Sequence, residues 1–323
     1  MSAPASPLVR VAVVQQPPIL LNRAATMAAA VGHVQTLAAD GVRLVVLPEA
    51  YLPGYPDWVW RLRPEGPERR IADELHARLL AEAIDLEGHD LDPLREAAAA
   101  AGMTVVVGVD ERDGRYSRAT LYCTMVTIGP DGAILNRHRK LVPTNPERMV
   151  WGQGDGVGLD VLDTPVGRLG GLICWENYMP LARFSLYAQG VDIWVAPNWD
   201  DGDTWVSTMR HIAAEGRCWV LGAGYAHNVR EIPADFPHRS EIWPDPDAWL
   251  NPGDSVIVAP GGALVAGPLR REYGVLVADI DPLLSAAARR TLDVAGHYGR
   301  PDVFRLTVDR SARHPVSELA AQG

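Results

Sequence analysis

Short apolar runs that stop on proline or on a polar side chain constrain this chain most. Residues 43–47 form such a run and close on Pro48-Glu49; residues 192–196 repeat the design and close on Pro197-Asn198. A third run, 168–173, ends on Cys174-Trp175-Glu176. Runs this brief with no polar face read as strands buried on both sides, whereas a half-exposed strand would alternate. Longer stretches with helical apolar spacing lie between them. The chain therefore alternates strand and helix, which predicts an α/β fold with a core covered on both faces.

The spacing predicts strands over 10–15, 43–47 and 103–109, and helices over 22–40, 67–82 and 91–101, the last stopping at Gly102. A strand pair over 119–128 and 133–139 turns through Gly129-Pro130-Asp131-Gly132, so the sheet is mixed. A second pair, 159–163 and 168–173, turns through Pro165-Val166-Gly167. A helix over 178–189, a strand over 192–196, a helix over 204–216 and a strand over 218–224 follow. After an irregular proline-rich stretch at 232–252 come strands at 255–259, 263–266 and 274–280, then a helix from Pro282. This describes one α/β domain over 1–310, built of two related halves, with a short tail over 311–323.

In open α/β sheets, ligands bind beyond the carboxyl ends of the strands. That rule brings Glu49, Cys174 and Asn198 to one mouth. A carboxylate behind an apolar strand is partly desolvated, which raises its pKa toward the range of a neutral-pH base; the plain alternative is a strand cap or an arginine partner. A cysteine at a strand-to-helix corner sits near backbone N–H groups, which favour the thiolate. Cys123 and Cys218 lie within apolar strand patterns and read as inert buried thiols. His138, His211 and His227 read as satisfied or surface groups, and no HExxH spacing is present.

Of the 30 Lys and Arg residues only one is lysine, Lys140, at the end of the strand 133–139. The plain reading is a codon bias toward arginine, under which one leftover lysine means little; the sharper one is that arginine cannot serve at this position. A compact ammonium does what a wide guanidinium fork cannot, so Lys140 joins Glu49 and Cys174 as a stabiliser of developing negative charge.

The formal net charge is −10, and the arginines are scattered among acids, which argues against a nucleic-acid partner. The longest apolar run, 97–109, falls short of the roughly 18–20 residues a membrane span needs. Residues 1–7 carry no signal-peptide pattern, and three cysteines without CxxC spacing point to free thiols in a reducing compartment. A cytoplasmic enzyme for a small molecule is the expectation. The glycines at 152, 154, 156 and 158 precede a strand rather than a helix, which rules against a phosphate cradle.

The strings from Leu47 to Pro56, from Arg137 to Leu141 and from Gly171 to Asn177 resemble the three catalytic signatures of the nitrilase, or carbon-nitrogen hydrolase, superfamily, in the same order Glu, Lys, Cys. The likeness continues through Gly152-Gln153-Gly154-Asp155-Gly156, Thr208-Met209-Arg210-His211 and 297–302. Cys174-Trp175-Glu176-Asn177-Tyr178-Met179-Pro180-Leu181 looks like the true nitrilase branch. The resemblance implies an αββα sandwich, with Glu49 as general base, Lys140 as stabiliser of charge, Cys174 as nucleophile and Glu147 as a supporting carboxylate. It also implies hydrolysis of an organic nitrile to acid and ammonia, with water as co-substrate and no metal or cofactor.

Many nitrilases carry a longer C-terminal extension than the stretch beyond Arg310, so a homodimer or small homo-oligomer is expected. Tyr55, Trp175, Asn198 and Trp199 are the candidate substrate contacts, while most of the surrounding aromatic residues belong to the core. The alternatives are an amidase or carbamoylase using the same three residues, and a non-catalytic binding protein on the same fold.

Overall fold

The computed structural model of the chain describes residues 8–314 and 316. The predicted absence of a leader at 1–7 and the last tail residues, 317–323, lie outside them.

The first half runs β1 (Val9–Gln15), α1 (Arg23–Ala39), β2 (Leu44–Val46), α2 (Arg69–Glu82), α3 (Asp92–Ala101), β3 (Thr104–Arg112), β4 (Leu121–Ile128) and β5 (Ile134–Arg139). The second runs β6 (Leu162–Thr164), β7 (Gly167–Gly171), α4 (Pro180–Tyr187), β8 (Ile193–Asn198), α5 (Gly202–Gly216) and β9 (Trp219–Gly224). It continues with β10 (Ala226–Asn228), α6 (Arg239–Ile242), β11 (Trp249–Val258), β12 (Leu264–Arg270), β13 (Gly274–Ile280) and α7 (Leu283–Arg289).

Two mixed sheets result, a six-stranded one in the order β13-β1-β2-β3-β4-β5 and a seven-stranded one in the order β10-β11-β9-β8-β7-β6 with β12 on β11. In the first, β1, β2 and β3 are parallel and β4 and β5 return antiparallel. In the second, β7, β8 and β9 are parallel and β11 and β12 return antiparallel. β13 and β6 each close the opposite edge antiparallel. The two halves thus repeat one topology.

Side-chain alternation builds the layers. Val11, Val13, Leu44, Val46 and Val106 of the first sheet meet Leu169, Ile193, Val195, Leu221 and Ile257 of the second in one inter-sheet core. Their neighbours Ala12, Val14, Val45, Val105 and Val107 turn outward onto Met27, Ala30 and Val34 of α1 and Leu94 and Ala98 of α3. On the far side Trp194, Ala196, Val220 and Val256 pack under Leu186 of α4 and Trp205, Met209 and Ile212 of α5. Both faces of the central strands are therefore buried, which is why those strands read as unbroken apolar runs. Each such Val or Leu contributes roughly 1.5–3 kcal/mol. The order of layers is helix, sheet, sheet, helix, as expected of an αββα sandwich.

Several boundaries differ from the sequence reading. The helix predicted over 178–189 begins only at Pro180, because Met179 precedes a proline and is held in the extended region (φ −87, ψ 102); residues Cys174–Tyr178 form a separate 3-10 turn. β11 starts at Trp249 instead of 255, and β10, which pairs with its first residues, was unforeseen. The glycines at 154 and 158 serve close approach: a Cβ on Gly154 would lie 2.3 Å from the Arg139 carbonyl oxygen and one on Gly158 2.4 Å from the His138 Cα. They let the 152–158 loop press on β5. No helix among the described residues is long and apolar enough to cross a membrane.

Candidate active site

Glu49, Lys140 and Cys174 each sit just past the carboxyl end of a strand, held there by local packing. After β2, the segment Pro48-Glu49-Ala50 lies flat on β3, at Gly108. A Cβ there would come within 2.4 Å of both the Pro48 carbonyl oxygen and the Ala50 nitrogen, so only glycine permits the approach. Ala50 takes a positive φ of 44°, and the Tyr225 hydroxyl donates to its carbonyl at 3.3 Å. At the end of β5, the Lys140 N–H donates to the Cys123 carbonyl of β4 at 2.8 Å. After β7, Gly171 abuts β8 so closely that a Cβ would overlap the Val195 carbonyl. Cys174 then turns sharply with φ 49°.

These turns bring the charged groups together in a buried cluster. The Lys140 ammonium donates to Oε1 of Glu49 at 2.7 Å and to Oε2 of Glu147 at 2.7 Å. Glu147 is fixed by the Tyr55 hydroxyl, donating to its Oε1 at 2.7 Å, and by the Thr144 N–H, donating to its Oε2 at 2.6 Å. The Lys140 ammonium also lies 5.7 Å from the centre of the Trp151 ring, whose N–H donates to Asp110 at 2.7 Å. Cys174 is 3% exposed, and the nearby Trp199 backbone N–H acts to lower the pKa of its thiol. Glu49, Lys140, Glu147 and Cys174, inferred from separate parts of the sequence, thus converge.

The electrostatics follow from burial and from one cation among several acids. Burial drives the Glu49 carboxyl up and the charge of Glu147 adds to it, while Lys140 and the Cys174 thiol pull back; the outcome is about 7. Burial works against the Lys140 ammonium, but Glu49, Cys174 and Glu147 together hold it well above the ordinary lysine range. For Cys174, burial and then the Glu49 charge push the thiol well above its usual range, with Lys140 and the Trp199 N–H opposing them. This corrects the expectation of a thiolate favoured by its backbone setting: the resting group is a thiol and needs a base beside it. Burial likewise keeps Asp110 well above the usual carboxylate range.

Sequence reasoning missed Glu176. Its carboxylate accepts from the Leu141 N–H at 2.7 Å, the Ile173 N–H at 2.8 Å and His138 Nε2 at 2.9 Å. It therefore ties the loop that carries Lys140 to the turn that carries Cys174. Burial would raise its carboxyl, but His138 and the two N–H groups hold it below the usual carboxylate range. A glutamate two residues past a candidate nucleophile is the only sequence signal.

The four expected substrate contacts divide. The Trp199 ring stacks on Tyr55 with centroids 4.0 Å apart and meets Tyr225 edge-on; Tyr55 and Trp199 wall one side of the cluster. The Asn198 carboxamide is taken up by the Asp200 backbone, accepting its N–H at 2.6 Å and donating to its carbonyl. Its part is to shape the turn after β8. Trp175, beside Cys174, is 46% exposed and packs edge-on against Tyr178.

Residues 10–290 match the carbon-nitrogen hydrolase family. The chain is 42% identical to an aliphatic nitrilase of Sinorhizobium fredii (strain HH103), covering 95% of this chain and 97% of that one. It is 39% identical to nitrilase 2 of Arabidopsis thaliana, covering 98% and 93%. Among solved structures, the C. elegans NitFhit protein superposes with a TM-score of 0.71 at 20% identity, covering 96% of this chain and 69% of that one. The amidase from Nesterenkonia sp. AN1 superposes with a TM-score of 0.64 at 18% identity, covering 88% and 98%. With its helix-sheet-sheet-helix layering and a match spanning both halves, this chain belongs to the carbon-nitrogen hydrolase family.

Proposed function

We propose that the protein hydrolyses an organic nitrile to the carboxylic acid and ammonia, with Cys174 as nucleophile, Glu49 as general base, Lys140 as stabiliser of charge on the substrate nitrogen and Glu147 as the carboxylate that holds Lys140. The observation that carries this reading is the buried Glu49-Lys140-Glu147 ion cluster beside a thiol set at positive φ on a strand end. Relatives named as nitrilases, alike over nearly the whole chain, favour a nitrile over an amide.

The chemistry follows from the pKa order. Glu49, near 7, accepts the thiol proton as the sulfur adds to the nitrile carbon, and passes it to the nitrile nitrogen to give a thioimidate. Lys140 offsets the negative charge growing on that nitrogen. Water then adds to the same carbon, its proton leaving through Glu49; the nitrogen collects both protons of that water and departs as ammonia, leaving a thioester. A second water cleaves the thioester to the acid and restores the thiol.

We further read the chain as one working domain over 1–310, in the cytoplasm, as a homodimer or higher homo-oligomer. Three buried free cysteines suit a reducing compartment, and Leu181 and Phe304 leave apolar surface exposed for a second copy.

The test is a panel of aliphatic, aryl and arylaceto-nitriles with the matching amides, measuring acid, amide and ammonia, with Cys174→Ala as control. Acid and ammonia from nitriles, lost in the variant, is the expected result. Thiol-dependent turnover of amides alone would move the chain to an amidase, and no turnover of either would leave a binding protein on this fold.

A further inference from the structure

A second thiol belongs to the buried cluster. Cys123, on β4, lies with its sulfur 3.5 Å from Oε1 of Glu49, the oxygen that also receives the Lys140 ammonium. Its carbonyl accepts the Lys140 backbone N–H at 2.8 Å. One residue thus touches both members of the ion pair, the base through its side chain and the lysine through its backbone. The other carboxylate oxygen, Oε2, is buried and has no hydrogen-bond partner among the described residues. A buried carboxylate oxygen left without a donor is costly, and such orphans gather at functional sites.

We propose that Cys123 is a positioning residue of this site: its thiol, donating to Oε1 of Glu49, joins Lys140 in anchoring that oxygen and reserves Oε2 for proton exchange with Cys174 and with the hydrolytic water. The division has a geometric reason. A carboxylate held by a single donor can swing about its χ3 torsion and present either oxygen. Two donors from different strands, β4 and the end of β5, fix the plane. The sulfur suits the place because burial and the neighbouring Glu49 charge hold the Cys123 thiol well above its ordinary range, so it stays a donor and does not ionise to compete with Cys174.

The titratable groups facing Glu49 come from every packed element: Lys140 after β5, Glu147 from the 3-10 turn Asn145–Met149, Cys174 after β7, Cys123 on β4, Asp110 on β3 and Tyr225 between β9 and β10, with Tyr55 behind Glu147. Asp110 pairs directly across the β3–β4 ladder with Cys123, while its carboxyl is engaged by Trp151.

The inference rests on the reading of Glu49 as the base for Cys174, so its test carries one readout that needs no turnover. Cys123→Ala and Cys123→Ser are compared with the unaltered protein in the pH dependence of kcat/KM on a nitrile. They are also compared in the pH dependence of Cys174 alkylation by iodoacetamide, located by peptide mass. Loss of a donor to a carboxylate destabilises its charged form. The alanine variant is expected to move the acid limb and the alkylation profile to higher pH and to lower both rates about fivefold below neutrality. The serine variant, which keeps a donor, is expected to hold both profiles near those of the unaltered protein.

An alanine variant with unmoved profiles overturns the proposal, whether its rates are intact or depressed, because packing alone does not shift a titration. A serine variant displaced as far as alanine overturns it too. If the unaltered protein turns over neither nitriles nor amides, the proposed function fails, and the alkylation profiles still decide the role of Cys123.

Discussion

The Lys140 ammonium lies 2.7 Å from Oε1 of Glu49, and neither side chain is exposed to solvent. A buried ion pair is weak evidence for stability, since desolvation offsets most of its attraction, but breaking one strands a charge. The pair is therefore better understood as function-bearing. It keeps a cation against the base, and Glu147, on the other side of the ammonium, keeps the cation in place.

Lys140→Arg tests whether a compact ammonium is required. The guanidinium is wider than the space between two carboxylates each at hydrogen-bond distance from one nitrogen, so kcat should fall by about 10²-fold or more while charge is conserved. Steady-state rates with circular dichroism as a fold control decide it. An arginine variant with activity near that of the unaltered protein would sink the geometric argument.

The pH profile should carry one limb near neutrality. Glu49 must be a carboxylate to take the thiol proton, and its value near 7 makes kcat/KM rise as pH climbs through that point. Lys140 and Cys174 are both displaced well above their ordinary ranges, so no fall is expected until well above pH 9. A profile already flat from pH 5 to 8 would contradict the assignment of the base.

Glu176→Ala should cost more stability than an ordinary surface change. It leaves the Leu141 and Ile173 N–H groups and buried His138 without their partner, a loss of about 3–5 kcal/mol on the scale of broken buried networks. Glu176→Gln keeps an acceptor and should fold closer to normal, with kcat reduced because the Lys140 and Cys174 segments are no longer drawn together. Denaturant midpoints and kcat separate the two effects. Equal stability of the alanine variant and the unaltered protein would remove Glu176 from the account.

Much of this was legible in the sequence because burial on both faces writes itself as unbroken apolar runs. The strands ending at Glu49 and Asn198 and the glycines before Cys174 could be read that way, and the order Glu, Lys, Cys could be placed on three strand ends. What escaped reading depends on tertiary distance. Glu176 differs in nothing local from a surface glutamate, and only the meeting of β5 with the turn after β7 makes it a clamp. Asn198 was read from its strand-end position, but its own turn consumes its carboxamide. The state of the Cys174 thiol was misjudged for the same reason: a favourable local backbone was visible, but the desolvation and the Glu49 charge that outweigh it were not.

Cys218 is a control for thiol chemistry. It is buried just before β9, and burial raises its thiol to about 12, so Cys218→Ser or Cys218→Ala should change stability without changing the pH profile or the nitrile preference. Activity that depends on Cys218 would place the chemistry elsewhere.

The most direct measurement is the intact mass of the protein quenched in acid during turnover of a nitrile, with the labelled peptide then sequenced. The expected result is a substrate-sized acyl or imidoyl adduct on Cys174, absent from Cys174→Ala and diminished in Glu49→Gln, which lacks the base for the thiol. Turnover without any adduct, or an adduct on Cys123 or Cys218, would contradict the assignment of Cys174 as nucleophile.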